Sequence, residues 1–327
     1  MTQFGRMFNE RGIQALRALT ESENDHWWKD LLALWRPSGQ SAGEYGLRLA
    51  IRDGYMNFYR RGQSVARVSL NRQGQPILSV HAKYVLPKAE QSSVKGQEYV
   101  TLTTDSLVRR GRAHALPYNG LKSLEDWVRS VDHVYGGEEK RLVDELLNVP
   151  ANDGVIDLEM GLPAWGVKST APRMDLVSIN RVAGRLTISF GEVKRVTDSR
   201  LRCRVPLKQD EMPEVLKQLS DYRRYLAEPE HRKLVGEQYS NAARLTKLLR
   251  GMANVIGPDR PLGQTILEAA DCNNIAVAEL AWLIVINEDG ANQVAWMKHR
   301  AKLETEEERV PMIVLDAPAA LEFGSRL

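Results

Sequence analysis

The chain has 327 residues, 43% hydrophobic and 27% charged, which suits one large globular domain or two ordinary ones. It contains no run of about 18 apolar residues, and its start, "MTQFGRMFNERGIQALRAL", lacks a signal peptide's apolar core and cleavage site, so a cytoplasmic protein with no membrane partner is expected. The formal net charge is only +3, yet residues 1–124 hold 18 Lys and Arg against 10 Asp and Glu, a surplus of +8 that leaves about −5 on the remainder.

Residues 7–36 have helical periodicity through Ile13, Leu16, Leu19, Trp27, Leu31, Leu34 and Trp35, and "RPSG" at 36–39 stops it. "YMNFYRRGQSVARVSLNRQGQPILSVHAKYVL" predicts a three-stranded antiparallel meander, with turns at Arg61-Gly62 and at Asn71 to Gly74. In its middle strand Val65, Arg67 and Ser69 take one face and Ala66, Val68 and Leu70 the other. Arg60, Arg61, Arg67, Arg72, His81 and Lys83 crowd this sheet. Two readings stay open: a basic surface on a nucleic-acid backbone, or an ordinary half-exposed sheet. The tryptophans Trp27, Trp28, Trp35 and Trp127 fit a packed core or stacking on bases. Residues 87–124 are polar and weakly periodic and are expected to connect, with a boundary near 124–136, before "YGG". The expected division is a basic N-terminal α+β module over 1–130 and a second domain over 131–327.

The second part has a different order. A helix, "EEKRLVDELLNV", precedes a strand within 153–168 and two strong strands, "RMDLVSI" and "RLTISFGEVK". Helices follow over "MPEVLKQLSDYRRYLAE" and "GEQYSNAARLTKLLRGMANVI", then the apolar strand "AELAWLIVIN", a helix around 291–303 and a last strand, "VPMIVLD". This order predicts an α/β core, a mixed sheet covered on both faces. Cys203 and Cys272 have no CxxC spacing and the six histidines form no HxxxH pair, so no zinc site is expected.

One strand carries chemistry. Leu186, Ile188 and Phe190 alternate as a buried row, and the next positions on that row are Glu192 and Lys194. A hairpin centred on Ala183-Gly184 sets Asp175 opposite Glu192. Facing residues of an antiparallel pair share a face, their Cβ atoms roughly 4.5–5.5 Å apart. Two carboxylates so close repel at low local dielectric. Either one takes a proton or a cation lies between them, and an oxygen-ligated divalent ion suits such a pair. Glu192 and Lys194 also admit a plain strand ion pair, and Glu-x-Lys recurs cheaply at Glu138-Glu139-Lys140.

Asp175 followed by Glu192 and Lys194 in "GEVKR" resembles the PD-(D/E)XK nuclease superfamily, with Pro172 three residues before the Asp rather than adjacent. The helical Glu139, with Glu138 as rival, and "QLSDY", with Gln218 and Tyr222 four apart as in a RecB-like Q-x-x-x-Y helix, extend the resemblance over roughly 136–290. It implies a restriction-endonuclease-like core and a nuclease that uses Mg²⁺ or Mn²⁺, acting on DNA as an endonuclease in bacterial or phage defence, restriction or repair. It further implies Asp175, Glu192 and the Val193 carbonyl as metal ligands and Glu139 at the metal directly or through water. Lys194 would position the nucleophilic water, and Gln218 and Tyr222 would orient Lys194 or the phosphate. A homodimer or partner proteins of a defence system fit the same family. Alternatives are an RNA-cleaving effector and a non-catalytic nucleic-acid-binding or assembly subunit. "KRVTDSRLRCR" follows the strand, and Arg195, Arg200, Arg202 and Arg204 form a candidate phosphate-backbone clamp, or a solvated loop. The acidic run at 304–308 reads as a solvated turn.

Overall fold

The computed structural model describes residues 4–86, 90, 94, 96, 98–102, 106–109, 112–134, 137–163, 173–202, 213–288, 293–304 and 310–324. It is a mixed α/β structure with one antiparallel and one mixed sheet. The helical pattern over 7–36 resolves into two helices, α1 (Glu10–Glu21) and α2 (Trp27–Leu34). The polar run "ESENDH" breaks it, and Asn9 and His26 cap the two N-termini by accepting backbone N–H bonds.

The meander is present as β2 (Tyr55–Arg60), β3 (Gln63–Leu70) and β4 (Pro76–His81). It belongs to a seven-stranded antiparallel sheet that begins with β1 (Arg48–Arg52). The turn residues Arg61 (φ 46°) and Gly62 (φ 62°) are both left-handed, as a tight two-residue hairpin requires. After α3 (Ala82–Val85), residues 87–124 are more than a connection: β5 (Tyr99–Leu102), β6 (Ser106–Arg109) and β7 (Arg112–Pro117) complete the sheet, and α4 (Leu121–Val134) follows. These strands are only 4 to 6 residues long, too short to show a clear period. Helix α4 covers the expected boundary as far as Val134. One face of the sheet carries Met56, Phe58, Ala66, Val68 and Val80 into a core shared with Trp28, Leu124 and Val128. Trp27, Trp28, Trp35 and Trp127 are all core residues.

Helix α5 (Glu138–Asn148) leads to β8 (Val155–Gly161), β9 (Arg173–Val182) and β10 (Arg185–Arg195). Then come α6 (Glu214–Leu226), the long α7 (Pro229–Ile256), α8 (Gln264–Ala270), β11 (Ala276–Val277), β12 (Trp282–Ile286), α9 (Gln293–Glu304) and β13 (Met312–Leu315). The second sheet is six-stranded, ordered β13-β12-β10-β9-β8 with β11 beside β10. It is antiparallel through β8, β9 and β10, then parallel from β10 to β12 and β13. On one face Val193, Leu176 and Ile284 pack with Leu142, Val143 and Leu146 of α5. On the other, Phe190, Ile188 and Val177 share the larger core with Leu219 and Tyr222 of α6 and Tyr239 of α7. Among the described residues no helix is long and apolar enough to cross a membrane.

Candidate active site

The β9–β10 hairpin positions the site. Its turn is Ala183-Gly184, both left-handed (φ 47° and 80°), and the register runs from Arg185 opposite Val182 to Gly191 opposite Leu176. The next rung would pair Glu192 with Asp175. There the ladder ends, and the Asp175 carboxylate takes over: its Oδ2 accepts the Val193 backbone N–H at 2.7 Å. Gly191 supports this end of the sheet because a Cβ there would lie 2.7 Å from Ile284 Cδ1 and 2.8 Å from Leu176 Cδ1.

Glu192 and Lys194 continue the Phe190 row and are 2% and 0% exposed. The Lys194 ammonium is where the oxygens converge. Its Nζ lies 2.5 Å from Glu192 Oε1, 2.8 Å from the Val193 carbonyl oxygen, 3.3 Å from Glu139 Oε1 and 3.7 Å from Asp175 Oδ2. Glu139 arrives from the first turn of α5. Its neighbour Glu138 turns outward and pairs with Arg141 at 3.1 Å.

Burial pulls the Lys194 ammonium down, but Asp175, Glu192 and Glu139 more than reverse this and hold it above its ordinary value. It therefore stays protonated and acts as a donor rather than a base. Burial likewise pushes Asp175 well up, with the Glu192 charge adding to it. Glu192 and Glu139 are raised mainly by burial, against the pull of Lys194.

Arg200, expected in a backbone clamp, instead ties into the cluster, 2.6 Å from Glu139 Oε2 and 2.6 Å from Asp198 Oδ2. Burial alone would raise Asp198; its hydrogen bonds with Arg200 bring it down to about 2. Asp198, the one acid in "KRVTDSRLRCR", was not expected in the site, yet it is the natural partner for a basic neighbour. Arg195 is half-buried and Arg202 exposed, and neither makes an ion pair with a described residue. Arg204 lies outside the described residues, as do Pro172, Cys203 and most of the acidic run at 304–308. Of the Q-x-x-x-Y pair, Gln218 bonds away from the cluster, to the Arg173 carbonyl oxygen at 3.2 Å. Tyr222 is fully buried, and its titration is raised by burial and then by the charges of Glu192 and Asp175.

Two buried polar atoms here have no hydrogen-bond partner, Glu192 Oε2 and Tyr222 Oη. Buried oxygens are rarely left so, and such exceptions point to an absent water, ion or ligand. Four carboxylates, Asp175, Glu192, Glu139 and Asp198, face two cations, Lys194 and Arg200. With all ionised, the uncompensated charge equals that of one divalent cation. Carboxylates and a carbonyl form the hard oxygen set that Mg²⁺ or Mn²⁺ takes. No three His, Cys, Asp or Glu among the described residues are gathered as in a formed metal site; here the ammonium stands among the oxygens. The donor set, the charge and the orphaned Glu192 oxygen fit a divalent cation.

Comparison of the chain with protein-family profiles, with curated proteins and with solved structures gives no match.

Proposed function

We propose that the chain is a metal-dependent nuclease with a restriction-endonuclease-like core, hydrolysing phosphodiester bonds of nucleic acid and foremost of DNA. The observation that carries this reading is the convergence around Lys194 Nζ. Four oxygens from α5, β9 and β10 meet there, although Glu139 is 55 residues from Lys194 in the chain.

Asp175, Glu192, the Val193 carbonyl and Glu139 would hold the cation, which when bound supplies Lewis acidity and a lowered water pKa. The chain's own residues do the rest. Lys194, held protonated, donates to the attacking water or to the phosphate oxygen where charge develops. Asp175 is fixed by the Val193 N–H, so its carboxylate keeps one orientation. Arg200 holds Glu139 from the outer side. Tyr222 offers its unpartnered hydroxyl beside Glu192 and Asp175.

A purely structural ion cluster is the weaker reading. Buried ion networks contribute little net stability unless they are charge-balanced and fully hydrogen-bonded, and this one leaves two oxygens unmatched and, with all four carboxylates ionised, two charges as well.

The test is incubation of the full chain with circular and linear duplex DNA, single-stranded DNA and RNA, in Mg²⁺, Mn²⁺ or EDTA, beside Asp175→Ala and Glu192→Ala. The expected result is metal-dependent cleavage that both variants lose while keeping the wild-type far-UV circular dichroism. Cleavage that survives in both folded variants would reject the site.

A further inference from the structure

Elsewhere lies a cleft of about 710 Å³, between the open face of the first sheet and the ends of β8, β9 and α5. The sheet face opposite the larger core contributes Tyr55, Asn57 and Tyr59 from β2 and Arg67 from β3, with Tyr59 packed in a small cluster with Ala50 and Leu158. Six cations line it, Arg6, Arg52, Arg67, Lys83, Lys140 and Arg173, against Asp53 and Glu159.

Its floor is over-supplied with positive charge. Arg6 and Arg52 share one carboxylate, Asp157, at 3.0 and 2.5 Å. Arg6 is 4% exposed, and its Nη2 has no hydrogen-bond partner. Arg67 lies 3.7 Å over the Tyr55 ring, and its buried Nε also has none. Both orphaned atoms on this cleft are donors. An unpaired buried donor costs the full desolvation of that group, so what completes this site is an acceptor. Guanidinium forks match phosphate geometry. The walls also offer tyrosine rings and the Gln63 amide, whose Oε1 accepts from Lys83 Nζ at 3.1 Å and from Tyr84 Oη at 3.2 Å. The volume falls within the roughly 300–1,000 Å³ of small-ligand pockets, too small to enclose a duplex.

We infer that this cleft binds the phosphate of a nucleotide, with Arg6 and Arg67 as phosphate donors and a tyrosine ring for the base. The nucleotide is either free or one unit of a single strand. A strand would leave the cleft past Lys140, next to Glu139, and Arg173, two residues before Asp175. The inference does not depend on the nuclease reading, because it concerns binding and not cleavage.

The test is equilibrium binding to the full chain in EDTA, using ADP and a fluorescent single-stranded hexathymidylate as probes. Arg67→Gln and Lys83→Gln are measured separately, with Arg72→Gln, exposed in the β3–β4 turn, as control. At least one probe should bind saturably. Each cleft variant should weaken binding about tenfold, the value of a charged hydrogen bond, with a shallower salt dependence, while the control does not change it. Saturation by ADP identifies the free nucleotide; saturation by the oligonucleotide alone identifies the strand. Binding of both probes weaker than about 1 mM, or wild-type affinity in both cleft variants, would overturn the inference. If one variant fails to fold, the other decides.

Discussion

Asp175 illustrates how function and stability oppose each other at a single side chain. Its carboxyl titrates well above the ordinary value because burial and the Glu192 charge disfavour ionisation. A carboxyl raised in the folded state is stabilising relative to the unfolded chain only while protonated. That contribution is present below the unfolded value and lost as pH rises through the folded one. At neutral pH Asp175 therefore destabilises the fold relative to a neutral side chain. Asp175→Asn keeps an oxygen for the Val193 N–H and removes the charge. In EDTA at pH 7 the variant should melt higher than wild type, and the gain should vanish below the ordinary carboxylate range. Added Mg²⁺ should raise the wild-type melting temperature and leave the variant's unchanged. Thermal unfolding at pH 7 and pH 3.5 checks this. A variant that melts lower than wild type at pH 7 would show that Asp175 is held for stability.

At the scale of elements, the β9–β10 hairpin does the positioning, and its turn is imperfect. Ala183 sits at φ 47°, where a Cβ is strained. Ala183→Gly should therefore stabilise by up to about 1 kcal/mol, since relief of the left-handed strain outweighs the added freedom of the unfolded chain. Urea unfolding measures it, and a loss of stability would mean that the Ala183 methyl packs favourably. This hairpin was also the most legible part of the sequence. The turn residues, the alternation through Leu186, Ile188 and Phe190 and the facing numbers all specify one register, and the structure has it. Elsewhere the signals were weaker. The break between α1 and α2 falls on polar residues that would equally suit an exposed helical turn. Helix α7 begins at Pro229, earlier than the expected start at Gly236, because its first turns are polar and charged and show no apolar stripe, although proline is a common helix opening. Helix α8 and strand β11 are too short to show a period. At the site, chain order and spacing pointed to Asp175, Glu192 and Lys194. Helix period favours Glu139 over Glu138, since Glu139 continues the face of Leu142, Val143 and Leu146, but the turn that bends Arg200 and Asp198 back onto Glu139 depends on tertiary packing and is not a periodic feature.

Across the whole molecule, the N-terminal part and the part built on the second sheet are joined by buried arginines as well as by the shared apolar core. Arg48 reaches Asn148 Oδ1 at 2.6 Å, and Arg260 donates to the Trp35 carbonyl oxygen at 3.0 Å. The most enclosed link is Asp157 of β8, which receives Arg6, Arg52 and the Tyr239 hydroxyl, the last at 2.9 Å. Three segments far apart in the chain thus meet on one carboxylate that is 2% exposed. Burial would push Asp157 up, yet Arg52 and Arg6 overcome this and keep it below the usual carboxylate value. For a depressed carboxyl the linkage runs opposite to that of Asp175: its stabilisation is present above the unfolded value and lost as pH falls through the folded one. Asp157→Asn should cost about 3–5 kcal/mol at pH 7, because it leaves two buried guanidinium groups without their counter-charge. The penalty should shrink as pH falls below the ordinary carboxylate range, where wild type begins to lose the same interaction. Urea unfolding of both proteins between pH 7 and pH 2.5 measures this. If the variant matches wild type at pH 7, Asp157 is not what docks the N-terminal segment. If the penalty shows no decline at all across the ordinary carboxylate range, the loss comes from packing rather than from the charge.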